Sequence, residues 1–257
     1  MTPPSLRPLS VGEILDVSFT LYRRHFGVLA TVALVCSGLP VLMSIYIEAA
    51  GGMLNNLPLT LVYYLIFMVL SAIATAATVF IVSESYLGRP LGAGEALSRS
   101  TPLLGRIIVC SILLALVVGL GFVFLFIPGV VLACGLALAF PALVLEPTTT
   151  ASGALGRSWA LTRGSRLRMF GLLLTLLILL YIPLVSLLGL AAVVLPAQDL
   201  ARSGSSAGGL VAVALAGVVQ LLIYPLFYCV LTVAYYDLRV RKEGFDLEVL
   251  ASTLQPA

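Results

Sequence analysis

The chain has 257 residues, 61% of them hydrophobic and only 10% charged, with a mean hydropathy of +1.15. A soluble domain carries roughly 25% charged residues, so there are too few polar side chains here to wet the surface of a globule, and a soluble enzyme is excluded. The net charge of +3, from 14 Lys+Arg against 11 Asp+Glu, is too weak a field to hold a polyanion and excludes nucleic acid as a partner.

The composition is that of an integral membrane protein, and the apolar runs can be taken in order. Before Phe26 the chain is polar and ends in Arg23-Arg24-His25. A secretory signal would place its apolar core earlier, so no cleaved leader is expected. Ser10-Val11-Gly12-Glu13 has the form of a capping box, and Leu15, Phe19, Tyr22 and Phe26 follow at helical spacing. These features predict a short amphipathic helix over about 10–25. A crossing helix needs ~20 apolar residues. The first span is expected at 26–47, between Arg24 and Glu48, and the second at 57–83, ending at Ser83-Glu84.

A second amphipathic segment over 92–105 carries Gly92, Leu97 and Ser100. From Ile107 to Leu145 no residue is charged. At ~1.5 Å per residue that run is about twice the hydrocarbon thickness, so it must fold back. Pro128-Gly129 is the expected turn, giving spans at 107–127 and 129–145. A third amphipathic segment, 150–167, follows the hydroxyls of Thr148, Thr149 and Thr150. The last two spans are expected at 169–195 and 209–234, joined by a Ser/Gly-rich loop from Gln198 to Gly209. The predicted fold is therefore all-α: one polytopic membrane domain of six transmembrane helices in three hairpins, each preceded by a short cytoplasmic amphipathic helix.

The basic residues orient this arrangement. Arg7, Arg23 and Arg24, then Arg89, Arg99 and Arg106, then Arg157, Arg163, Arg166 and Arg168, then Arg239, Arg241 and Lys242 fall on one face. Only Arg202 falls opposite. Thirteen of 14 on one side place both termini in the cytoplasm, in a multi-pass inner-membrane topology.

Trp159 is the chain's single tryptophan and lies one helical turn from Leu155, with Arg157, Arg163, Arg166 and Arg168 around it. Such a cluster anchors a helix at the interface, or docks a protein partner or an anionic lipid headgroup. Pro40, Pro141, Pro183 and Pro225 fall inside apolar runs and are expected to kink their helices, either for packing or to line a cleft. No ionisable residue lies inside a span, and Gln220 is the strongly polar exception, which argues against ion-coupled transport. Cys36, Cys110, Cys134 and Cys229 have no paired spacing and read as packing residues. His25 is the lone histidine, and neither a phosphate loop nor a Gly-x-Ser-x-Gly elbow is present. No enzyme activity, metal or cofactor is expected.

Phe140-Pro141, Glu146, Ala154-Leu155, Ser158-Trp159, Leu161 and Gly164 together resemble the membrane domain associated with bacterial glycerophosphoryl diester phosphodiesterases. Gly12-Glu13-Ile14-Leu15 and Tyr235-Tyr236-Asp237-Leu238-Arg239 are similar to the two ends of that domain. The resemblance implies a six-helix bacterial membrane domain. It does not bring the hydrolase with it, because a catalytic barrel of ~250 residues does not fit after the last span and the family's catalytic histidines and acids have no counterpart. The expected function is that of a non-enzymatic scaffold, regulator or lipid-associated subunit, contacting lipid and a protein partner or a second copy. An uncoupled permease or lipid translocator is the alternative.

Overall fold

Helix α1 (Val11–Arg24) begins where Ser10 supplies the partner that the first turn lacks. Its hydroxyl accepts from the Glu13 N–H at 3.3 Å, and the Glu13 carboxylate accepts from the Ser10 N–H at 2.7 Å, the reciprocal capping box read from the sequence. The structure is a computed structural model that describes residues 7–146, 149–194, 207–245 and 247. After α1 come α2 (Phe26–Ala49), α3 (Leu57–Tyr86), α4 (Ala93–Ser100) and, through a 3₁₀ turn at Thr101–Leu103, α5 (Leu104–Phe124). The remaining helices are α6 (Phe126–Leu136), α7 (Ala139–Leu145), α8 (Ala151–Thr162), α9 (Arg166–Val194) and α10 (Ala207–Glu243). No strand occurs among the described residues. The Ser/Gly-rich loop expected over 198–209 falls mostly outside them.

Five stretches are long and apolar enough to cross a membrane: Phe26–Ala49, Leu57–Tyr86, Ala93–Phe124, Phe126–Leu145 and Gly208–Glu243. There are six if α8 and the start of α9, which meet at 104°, count as one. The second amphipathic segment thus continues into its span, whereas the third turns sharply across the end of its own. Pro102 explains the first case, since it sits at the start of the 3₁₀ turn where its missing N–H is not needed.

Two prolines act one turn away from where the sequence pointed. The expected turn at Pro128-Gly129 falls at Leu125, which is extended (φ −163°, ψ 144°). Pro128 occupies the first turn of α6. Likewise Pro141 does not kink a continuous helix: the interruption is at Ala137–Leu138, and Pro141 lies in the first turn of α7. The reason is common to both. A proline ring clashes with the carbonyl four residues back and removes an N–H that only the first turn can spare, so the break moves upstream of the ring. Pro40 and Pro225 do lie within α2 and α10, both buried. Pro183 lies within α9, and its side chain is outside the described ones.

Sequence neighbours pack together, α2 on α3, α5 on α6 and α9 on α10, and α10 also packs against α1, α2 and α3. The inward face of α10 is correspondingly closed, with Cys229, Val233 and Tyr235 fully buried. Between α5 and α6 the backbones themselves touch. A Cβ on Gly129 would stand 2.9 Å from Phe122 Cα, a contact that no side-chain rotation can relieve. Gly129→Ala is therefore expected to lower stability by about 1–3 kcal/mol, a drop of several degrees in thermal unfolding in detergent. Gly171→Ala, at a position with no neighbour within 4 Å, should leave it in place.

Candidate functional site

The short helices present buried faces to the bundle with one shared spacing. Ile14 and Ser18 of α1, Ala96 and Ser100 of α4, and Ala154 and Ser158 of α8 are pairs one turn apart, all 0–2% exposed. Ser18 and Ser100 return their hydroxyls to their own helix, donating to the Ile14 and Ala96 carbonyls at 2.6 Å. Ser158 does something different. It accepts from the Leu138 N–H at 3.1 Å and donates to the Gly135 carbonyl at 2.8 Å, and Thr162 donates to that same carbonyl at 3.0 Å. Thus α8 fills the interruption between α6 and α7 and satisfies backbone groups that hydrocarbon would leave orphaned. Gly135 is glycine because a Cβ there would meet the Trp159 ring at 2.5 Å.

This joint decides the fate of the basic cluster. Arg166 lies over the Trp159 ring, 3.7 Å from its centroid, and its buried Nε has no hydrogen-bond partner, so the π face takes that role. Arg157 donates to Glu146 at 2.7 Å and grips both oxygens of Glu243. Tyr235 donates to Glu146 at 2.7 Å and Arg239 to Glu243 at 3.1 Å. Arg168 donates to Asp237 at 2.7 Å and to the Leu9 carbonyl. Of the five residues singled out as a docking surface, Arg157, Trp159, Arg166 and Arg168 are thus engaged within the chain. Arg163 is exposed, and its side chain makes no ion pair among the described residues.

Asp237 is the acceptor that sequence reading passed over. Its side chain is 1% exposed, yet it takes the Leu9 N–H at 2.6 Å, Arg168, and Arg241 at 3.1 Å. The segment before α1, the start of α9 and the end of α10 meet on this one carboxylate. Its neighbours in the Tyr-Tyr-Asp-Leu-Arg run also find partners: Tyr236 and Ser83 share a hydrogen bond of 2.6 Å. That run was the available signal, a polar stretch closing an otherwise apolar helix.

The second feature is an apolar cavity of about 910 Å³ bounded by α5, α6, α9 and α10. This is at the upper end of the roughly 300–1,000 Å³ of small-molecule sites. Among the described residues no Asp, Glu, Lys, Arg or His lines it, and Gln220, Ser111, Tyr181 and Tyr228 are the polar-bearing ones. Leu136, Leu176 and Leu231 close it toward the ionic end of the bundle and are almost fully buried, whereas Phe122 and Tyr181 at its other end are 43% and 57% exposed. Comparison with family models, with curated proteins and with solved structures finds no match to this chain.

Two outcomes are expected at the ionic end. Asp237→Ala leaves two guanidinium groups and the Leu9 N–H without their shared acceptor and should cost about 3–5 kcal/mol, read as thermal unfolding in detergent; Arg163→Gln should stay within about 0.5 kcal/mol. The second outcome is pH dependence. The Arg157 guanidinium holds the Glu243 carboxyl below its ordinary range, and the Ser10 N–H and Arg7 hold Glu13 down at about 2. Both ionise more readily folded than unfolded, so their contribution is present above about pH 4.3 and fades as acidification passes through the lower folded values. Unfolding temperature should fall from about pH 4.3 down toward about pH 2, through the Glu13 value, and less steeply in Glu243→Gln.

Proposed function

We propose that this chain is a non-enzymatic bacterial membrane protein that holds lipid, with six spans, both termini cytoplasmic and the ionic layer on the cytoplasmic side. The apolar cavity between α5, α6, α9 and α10 is the observation that carries the reading. Water in such a space would find almost no hydrogen-bond partner, and a cavity of this kind stays dry unless an apolar group fills it. In a bilayer the abundant apolar filler is an acyl chain. The paired state of Arg157 and Arg168 favours lipid inside the bundle over a headgroup surface built from those arginines, and leaves Arg163 for contact with anionic headgroups. The resemblance to the membrane domain associated with glycerophosphoryl diester phosphodiesterases supports this reading through the polytopic all-helical membrane architecture it implies.

A second reading, an uncoupled permease or lipid translocator, draws on the interrupted helix α6–α7, which adjoins the cavity. It requires a polar route across both leaflets, and the leucines at the inner end of the cavity argue for storage over passage.

The test is native mass spectrometry of protein gently extracted from its own membrane, beside a variant in which Ala115→Phe and Ala133→Phe fill the cavity from α5 and α6. Wild type is expected to retain lipid and the double variant to lose it at unchanged yield. Equal retention by both would sink the lipid-holding reading. Flux in vesicles that the double variant abolishes would favour the translocator.

A further inference from the structure

Gln220 stands out among the cavity's lining residues. Its carboxamide makes no hydrogen bond among the described residues, although a lone amide in hydrocarbon is costly and membrane helices normally pair such groups. Its position along α10 is informative. Leu231, at the closed end, is eleven residues away, about 16 Å at ~1.5 Å per residue. On α5 the lining residues Ser111 and Phe122 span the same length. That depth is about half of the ~30 Å hydrocarbon layer, the reach of one leaflet's chain. Tyr181 lies at the same outer end on α9, so Gln220 and Tyr181 stand opposite an inner end formed mainly by Leu136, Leu176 and Leu231, where the Ser111 hydroxyl is already committed, donating to the Ile107 carbonyl at 2.8 Å. With no carboxylate or cation among the described lining residues, the group best suited to meet Gln220 is neutral.

We infer that the cavity takes an acyl chain of an ester-linked glycerolipid from the leaflet away from the ionic layer, its tail running inward toward Leu231 and its ester carbonyl accepting from the Gln220 Nε2–H. This rests on the lipid-holding reading and adds the chemical class of the lipid and its direction.

The experiment compares a diester phosphatidylcholine with its chain-matched diether analogue, which lacks the carbonyl acceptor, by titration into the delipidated protein with native mass spectrometry. Wild type should prefer the diester by roughly two- to tenfold, the worth of one hydrogen bond. Gln220→Leu should bind both lipids equally. A diester carrying a diazirine at the chain terminus should label the inner end of the cavity, around Leu173, Leu176 and Leu231. Equal binding of the two lipids by wild type overturns the role of Gln220 while the lipid-holding reading stands. Labelling confined to 216–220 overturns the direction. Binding of neither lipid removes the lipid-holding reading itself, and this inference with it.

Discussion

Asp237 is a carboxylate with almost no access to solvent, and an N–H from ahead of α1, a guanidinium from α9 and another from α10 converge on it. A lone buried carboxylate at the edge of hydrocarbon would be severely penalised. Three donors offset that cost and at the same time oblige three distant segments to meet at one point. The position of α1 over α10 and the entry of α9 beside it follow from this one acceptor. A neighbouring set of charges repeats the device: Glu146 at the end of α7, Arg157 in α8 and Glu243 at the end of α10 bind each other, with Tyr235 and Arg239 completing the hydrogen bonds. The ionic end of the bundle is thus a connected lattice whose members are mostly committed to one another.

The same accounting explains α8. An apolar chain can break a helix within a membrane only if something answers the exposed backbone groups. Ser158 and Thr162 answer Leu138 and Gly135, Trp159 lies against the face that Gly135 leaves bare, and Arg166 covers the ring. A helix with this inventory could have rested on the headgroups. Instead, its serine face is inserted into the bundle and bends away from α9 by about a right angle, which makes α8 a wedge that holds α6 and α7 in register.

Holding the ionic end so tightly has a consequence at the other side of the molecule. The α5–α6 pair is pinned by α8 and the α9–α10 pair by Asp237, while between the two pairs there is a cavity with no charged wall among the described residues. Leucines predominate at its inner end, where the Ser111 hydroxyl is turned back to its own helix, and Gln220 and Tyr181 stand toward its outer end, an order of polarity like that of a single lipid leaflet. The proposed lipid site lies between two separately anchored hairpin-like pairs, in a place where neither pair alone could close the space.

Much of this could be read from the residues before any coordinates. Hydropathy and length specified the helices, because a chain with so few charges must bury its backbone hydrogen bonds within helices wherever water is absent. The capping box at Ser10 and Glu13 was legible because it is local, complete within four residues. The interrupted run from Ile107 to Leu145 was recognisable as folding back, but the site of the fold was displaced, since a proline acts on the carbonyl one turn before it. The motif residues Ser158, Trp159 and Asp237 were visible as a resemblance without a reason.

What the tertiary structure decided is who partners whom. Sequence placed Arg157, Trp159, Arg163, Arg166 and Arg168 together as a basic surface, and nothing local distinguishes an arginine that faces a lipid headgroup from one that faces a glutamate 86 residues away. The cavity is likewise invisible in one dimension, because it is a space between helices far apart in the chain and has no residue of its own. By itself the sequence determined that the chain is helical throughout its apolar runs and carries several helices long and apolar enough to cross a membrane, since this follows from the free energy of each segment in hydrocarbon. The pairing of charges and the shape of the void were left to packing, since they depend on contacts that close only when the whole bundle is assembled.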